Sequence, residues 1–134
     1  MAKGKAIHVV INKKELLLPK MEFLPLNEAG AGFFVKELGG KSLLGYKELI
    51  EKFEKSDGEE ISDIHGIELM AELVLLTACN PDGTPYFVSK DEVDLFAEKS
   101  LNQLQLAADK AMEVSGMGAT QNLKNDVPAS STTD

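Results

Sequence analysis

The residues with the clearest chemical potential are two histidines, His8 and His65, and a single cysteine, Cys79. No second His or Cys stands at ligand spacing from any of these three, so a zinc site would need Cys79, His65 and two distant carboxylates. His65 and Cys79 fall on one apparent helix, where fourteen residues at about 1.5 Å each span about 21 Å. General-base contact is impossible over that distance. We therefore predict no catalytic residue and no metal ligand, and we expect His65 to be a partly buried helix histidine.

The loop that contains Pro81-Asp82-Gly83 can be compared with the calcium-binding loop of an EF-hand. With Gly83 at the sixth position of an EF-hand loop, Ala78 would be the first ligand and Ser89 the last. Neither supplies a carboxylate, so calcium is rejected. Proline that presets φ, followed by Asp and Gly, is typical of a tight turn. The loop is therefore predicted to be a connector.

The stretch Gly39-Gly40-Lys41-Ser42 resembles the end of a phosphate-binding loop. The first glycine of that motif would fall on Val35, so the motif is incomplete. Ser42 as a helix N-cap explains the residues more simply. We expect no cofactor, and the chain is predicted not to be an enzyme.

The composition of the chain argues against further classes of function. The 134 residues hold 22 acids and 14 bases, with a net charge of −8, and every base is lysine. Without arginine and with this acidic balance, direct nucleic-acid binding is not expected. A lone cysteine allows no intrachain disulfide, which fits a reducing cytoplasm. No apolar run approaches the roughly 20 residues that span a bilayer, so no membrane association is expected.

The first forty residues differ from the rest of the chain in the pattern of their apolar residues. Apolar runs at Met21–Leu26 and Phe33–Leu38 flank a glycine-rich connection, which predicts a β-hairpin. Pro25 assigns the first strand to a sheet edge. Residues 6–12 are a candidate third strand, and Lys13–Leu18 is a candidate helical turn.

The pattern becomes helical from Lys41 onward. Ser42 is predicted to cap a first helix, and Ser62 or Asp63 a second that runs to about Ala78. The second helix is apolar on nearly every side near its end, which predicts a central position.

A third helix is predicted from the capping-box pattern Ser89-Lys-Asp-Glu92 to Val114, ended by Gly116 and Gly118. Its apolar stripe is a candidate partner-binding face; the alternatives are packing within a small bundle or against a second copy. The candidate residues are Val93, Phe96, Ala97, Leu101, Leu104, Ala108 and Ala111.

These elements predict a mainly α fold: a small helical bundle of three or four helices with a short N-terminal β-hairpin or extended arm. The predicted division is residues 1–40 as the arm, 41–118 as the helical domain and 119–134 as a disordered tail.

Three short motifs in this order carry a resemblance: Val35-Lys-Glu-Leu38, Leu76–Phe87 followed by Ser89–Glu92, and Val114-Ser-Gly-Met117. Over about residues 33–118 the chain resembles the tail assembly chaperones of long-tailed (siphovirus-type) bacteriophages. The resemblance implies a non-enzymatic protein that binds and solubilises the tape-measure protein and helps recruit tail-tube subunits. It also implies a homo-oligomer in the host bacterial cytoplasm that is absent from the mature virion.

Many members of this family have a longer form made by ribosomal frameshifting, and Lys124-Asn125 can be encoded within a slippery run. Two other interpretations stay open: a structural phage neck or tail-completion protein, and a bacterial helical adaptor protein.

Overall fold

A computed structural model describes residues 7–58 and 60–117. The fold is mainly α, with a small antiparallel sheet, which agrees with the predicted class. The elements in chain order are α1 (Lys13–Leu17), β1 (Met21–Pro25), β2 (Gly32–Lys36), α2 (Gly40–Asp57), α3 (Asp63–Thr77), β3 (Ala78–Cys79), α4 (Lys90–Lys99) and α5 (Leu101–Val114). Within these described ranges, no helix is both long and apolar enough to cross a membrane.

The predicted hairpin is confirmed. Strands β1 and β2 pair antiparallel with Phe23 opposite Phe34, and the sheet order β1-β2-β3 leaves β1 at the edge that Pro25 predicted. In the connecting loop the Asn27 side chain accepts the Ala31 N–H at 3.0 Å. Gly30 adopts a φ of 83°, which a residue with a Cβ rarely tolerates.

The predicted third strand is wrong over residues 7–12, which form no strand, while Ala6 lies outside the described residues. Its place in the sheet is taken by β3, in which Ala78 pairs with Val35 and Cys79 with Phe34. The helical turn predicted just after residue 12 is confirmed as α1, and Asn12 caps it by accepting the Lys14 N–H at 2.8 Å.

Helix α3 is central, as its composition predicted, and buries Leu73 and Val74 almost completely. The predicted N-cap Ser62 is confirmed, because its hydroxyl accepts the His65 N–H at 3.2 Å. The predicted cap of α2 is wrong. That helix begins one turn earlier with Gly39 as its N-cap, so Ser42 lies inside it.

The long third helix is also wrong as predicted, because it is divided at Ser100. This residue has extended backbone angles, φ −157° and ψ 101°, and its hydroxyl caps α5 by accepting the Gln103 N–H at 3.1 Å. The break lets α4 and α5 pack on α3 separately, which one straight helix could not do. The capping box predicted at the start of α4 is not formed: Ser89 makes no capping hydrogen bond, and the Glu92 carboxylate accepts the N–H of Val88 at 2.9 Å rather than that of Ser89.

The end of α5 is confirmed at Gly116, whose φ of 77° closes the helix. The Met117 N–H donates to the Met112 carbonyl at 2.8 Å and the Gly116 N–H to Glu113 at 3.1 Å, the paired bonds of a Schellman motif. Gly118 and the predicted tail at 119–134 lie outside the described residues.

Hairpin and helices share one core, since β2 packs against α5 and its Phe33 and Val35 are buried beside Leu104. The division into an arm and a helical domain stays a prediction.

Candidate partner-binding surface

The seven residues predicted as a partner-binding face are distributed between core and surface. Val93, Leu104, Ala108 and Ala111 are buried in the core of this chain, and Phe96 and Ala97 pack partly buried against it. Leu101 is 48% exposed. Their burial follows from the break at Ser100, which turns the two halves of the stripe onto α3. Whether any of the seven contacts a partner stays a prediction.

Leu101 lines an open apolar cleft of about 530 Å³ between the start of α3 and the start of α5. Facing it are Ile61, Ile67 and Met70. Both sides of the cleft are fixed by N-caps, because Ser62 begins α3 and Ser100 places Leu101 in the first turn of α5.

The apolar surface continues past Ile67 into a smaller cleft of about 160 Å³ between α3 and α4. Ile64, one turn before Glu68, is largely exposed at this point, and Glu68 and Asp94 line the same cleft. We call Ile64, Ile67 and Leu101 the apolar ridge. The predicted partner-binding face did not include Ile64 and Ile67.

The acidic border of the ridge carries one ion pair. The Lys90 ammonium lies 3.2 Å from a Glu68 carboxylate oxygen, and this hydrogen bond raises the pKa of Lys90. Both side chains are well exposed, so the pair adds little to stability. A partly neutralised acidic border around apolar side chains suits the apolar face of an amphipathic helix that carries basic residues at its margins.

A third cleft, of about 360 Å³, has aromatic walls. Phe33 lies with its ring centroid 5.1 Å from Tyr86, 5.8 Å from Phe87 and 6.0 Å from Phe96. Gln103 also lines this cleft, and its side-chain amide donates to the Leu26 carbonyl at 2.9 Å. Phe87 is buried and fixes the neighbouring loop to the core, whereas Tyr86 contacts Phe33 with about half of its surface exposed.

His65 has a structural role, as predicted from its place on the helix. Its Nδ1 lies 2.6 Å from an Asp57 carboxylate oxygen, and its ring stacks on Phe53 with centroids 4.0 Å apart. The Ser62 N–H, and then His65, lower the pKa of Asp57 by hydrogen bonding to its carboxylate. This cluster ties the end of α2 to the start of α3.

Cys79 is fully buried in the sheet, and burial raises the pKa of its thiol. A thiol held protonated in this way is a poor nucleophile. Across residues 7–58 and 60–117, no group of three or more His, Cys, Asp or Glu side chains is arranged to hold a metal ion.

The loop after β3 is the tight connector that its residues predicted. The Gly83 N–H donates to the Asn80 carbonyl at 2.8 Å, and Gly83 has a φ of 90°. Asp82 accepts the Thr84 hydroxyl at 2.7 Å and the Thr84 N–H at 3.0 Å, and these bonds lower the pKa of Asp82. Lys36 on β2 donates to the Gly83 carbonyl at 3.0 Å. The Asp82 carboxylate is therefore hydrogen-bonded within the turn.

Comparison with known proteins gives one structural likeness. No protein-family model matches the sequence, and no curated protein matches it significantly. Among solved structures, the tail assembly chaperone of bacteriophage HK97 is similar, with a TM-score of 0.54 and 18% sequence identity. The match covers 75% of this chain and 94% of the HK97 chain. The resemblance seen in the sequence motifs is confirmed at the level of architecture: this chain has the fold of a phage tail assembly chaperone.

Proposed function

We propose that this protein is a tail assembly chaperone of a long-tailed bacteriophage. It binds the tape-measure protein, keeps it soluble and helps to recruit tail-tube subunits in the host cytoplasm, and it is absent from the finished virion. One observation carries the proposal: the fold is similar to that of the HK97 tail assembly chaperone, and the structural match covers 94% of the HK97 chain. The order of the three sequence motifs supports it independently.

The apolar ridge is the surface that we assign to the tape-measure protein. Leu101 belongs to the predicted partner-binding face and is half exposed, whereas Leu104, one turn later, is completely buried. A partner helix can therefore reach Leu101 on the folded protein but not Leu104. Ile64 and Ile67 extend the ridge across α3, next to the acidic Glu68 and Asp94. A helix with an apolar stripe and flanking lysines or arginines fits this surface.

Co-expression tests this assignment. The wild-type chain is expected to raise the soluble yield of the tape-measure protein, and Leu101→Asp is expected to remove most of that effect by placing a charge in the contact. Leu44→Asp is the matched control, because Leu44 is an exposed leucine on α2, away from the ridge. Equal loss in both variants, or no loss in either, would overturn the assignment to the ridge.

A chaperone and a structural phage protein differ in their fate. Mass spectrometry of purified virions is expected to find the tail-tube protein but not this chain. Its presence in virions at a fixed stoichiometry would favour a neck or tail-completion protein instead. A pull-down with tail-tube and tape-measure proteins tests the two partners separately, and binding to neither would favour the bacterial adaptor.

A further inference from the structure

The segment Ile7–Ile11, which we call the apolar arm, has no partner within the described structure. It contains Ile7, His8, Val9, Val10 and Ile11, and the four aliphatic side chains are 54% to 92% exposed. β-branched residues favour extended, paired backbone. Such a segment left in solvent exposes both apolar side chains and unpaired backbone groups, and this combination is typical of a strand that pairs with another chain.

The sheet offers an edge of matching length. The Glu37 N–H donates to the Lys20 carbonyl at 2.9 Å, and the Leu26 N–H donates to Ala31 at 2.7 Å. Because bonded and non-bonded pairs alternate in an antiparallel ladder, the backbone groups of Met21 and Phe23 point away from β2. β1 and the apolar arm each contain five residues.

The face of the sheet beside this edge is apolar. Phe23 is 41% exposed and lies edge-on to Phe34, with ring centroids 5.3 Å apart. In an extended strand, alternate side chains fall on one side. Ile7, Val9 and Ile11 therefore share a side that can cover Phe23 when the arm lies along β1.

Charge selects a second copy as the source of the strand. Residues 1–20 contain five of the 14 lysines and one of the 22 acids, so the rest of the chain is strongly acidic. The basic end of one copy is therefore attracted to the acidic body of another. Every copy carries both the arm and the edge, so two copies can exchange arms reciprocally, or successive copies can repeat the contact head-to-tail.

We propose that the apolar arm of one copy adds as a strand along the open β1 edge of a second copy, with Val9 against Phe23. This contact is separate from the apolar ridge and does not depend on tape-measure binding.

Light scattering of the full-length chain over a range of concentrations tests the contact. The wild-type protein is expected to associate as concentration rises. Val9→Asp and Met21→Pro are expected to remain monomeric, the first by charging the arm and the second by removing an outward-pointing N–H of the edge. The matched control is Val88→Asp, because Val88 is 81% exposed, close to the 84% of Val9. Wild-type protein that stays monomeric, or Val9→Asp protein that still associates, would overturn the proposal.

Disulfide trapping identifies which strand fills the edge. Val9→Cys protein is mixed with Phe23→Cys protein under mild oxidation, because the proposed register places these two residues opposite each other, while buried Cys79 remains the same background in both. A disulfide-linked heterodimer is expected. A double variant that closes only within its own chain would overturn the proposal in favour of an arm folded onto its own β1. Association that appears only when tail proteins are added would also overturn it.

Discussion

Two aliphatic regions of this chain have opposite fates. In the core formed by α3, α5 and β2, Val74 and Leu104 are completely buried, whereas Val10 in the apolar arm is 92% exposed. The residue types are alike, so hydrophobicity does not separate the two regions. Helical spacing allows α3 and α5 to present continuous faces to one another, while the apolar arm has no neighbouring strand within residues 7–58 and 60–117. Apolar surface that finds no internal partner is available to an external one.

The largest effect is expected in the core. Leu104→Ala leaves a cavity at a site with no solvent contact and should lower the free energy of unfolding by about 2–5 kcal/mol. Urea denaturation followed by circular dichroism measures the change. A loss below about 1 kcal/mol would mean that α5 is held more loosely than its burial indicates.

The break between α4 and α5 should come next. Ser100→Ala removes the side-chain acceptor of the Gln103 N–H and should cost about 1 kcal/mol. Ser89→Ala is the matched control, since Ser89 makes no capping hydrogen bond and its loss should change the unfolding free energy little. Equal effects of the two substitutions would contradict the division of the predicted helix at Ser100.

A smaller, pH-dependent effect is expected where α2 meets α3. The lowered pKa of Asp57 means that its stabilising contribution is present above the ordinary value of 3.8 and is lost as the pH falls through the lowered value. Asp57→Asn should therefore be less stable than wild type at neutral pH, and the difference should shrink in acid. Unfolding curves across the acidic range measure this, and a difference that is constant with pH would exclude Asp57 as its source.

The smallest effect is expected in the apolar arm. At concentrations low enough to keep the protein monomeric, Val10→Ser should change the unfolding free energy by less than about 0.5 kcal/mol, because Val10 is 92% exposed and unfolding would uncover little more of it. Thermal melts at low concentration measure this. A larger loss would show that the arm packs on its own chain.

Elements specified by nearby residues could be predicted from the sequence. The hairpin depends on two apolar runs around a turn, and the ends of α3 and α5 depend on Ser62 and Gly116, whose signals are local. The family resemblance could also be identified from the sequence, because it depends on short motifs in a fixed order.

Features that depend on distant contacts could not be predicted in the same way. β3 is two residues long, and its pairing with Val35 joins parts of the chain more than forty residues apart. Around Ser100 the helical spacing of apolar residues continues without Gly or Pro, so the apolar pattern does not indicate a break in the helix. One signal was present, since Ser100-Leu-Asn-Gln103 has capping-box spacing. The seven-residue face was drawn along one unbroken helix, and its exposed part could be identified only after the break was known.

Cys79 gives the protein a built-in reporter of its own opening. It is the only thiol in the chain, lies in the strand that joins the hairpin to α3, and is completely shielded from solvent. An alkylating reagent can reach it only when the part of the fold that covers it opens. The labelling rate of the unmodified protein therefore measures how often this region opens, without an engineered probe. Comparing that rate with and without a bound partner would reveal whether binding tightens the fold far from the contact itself.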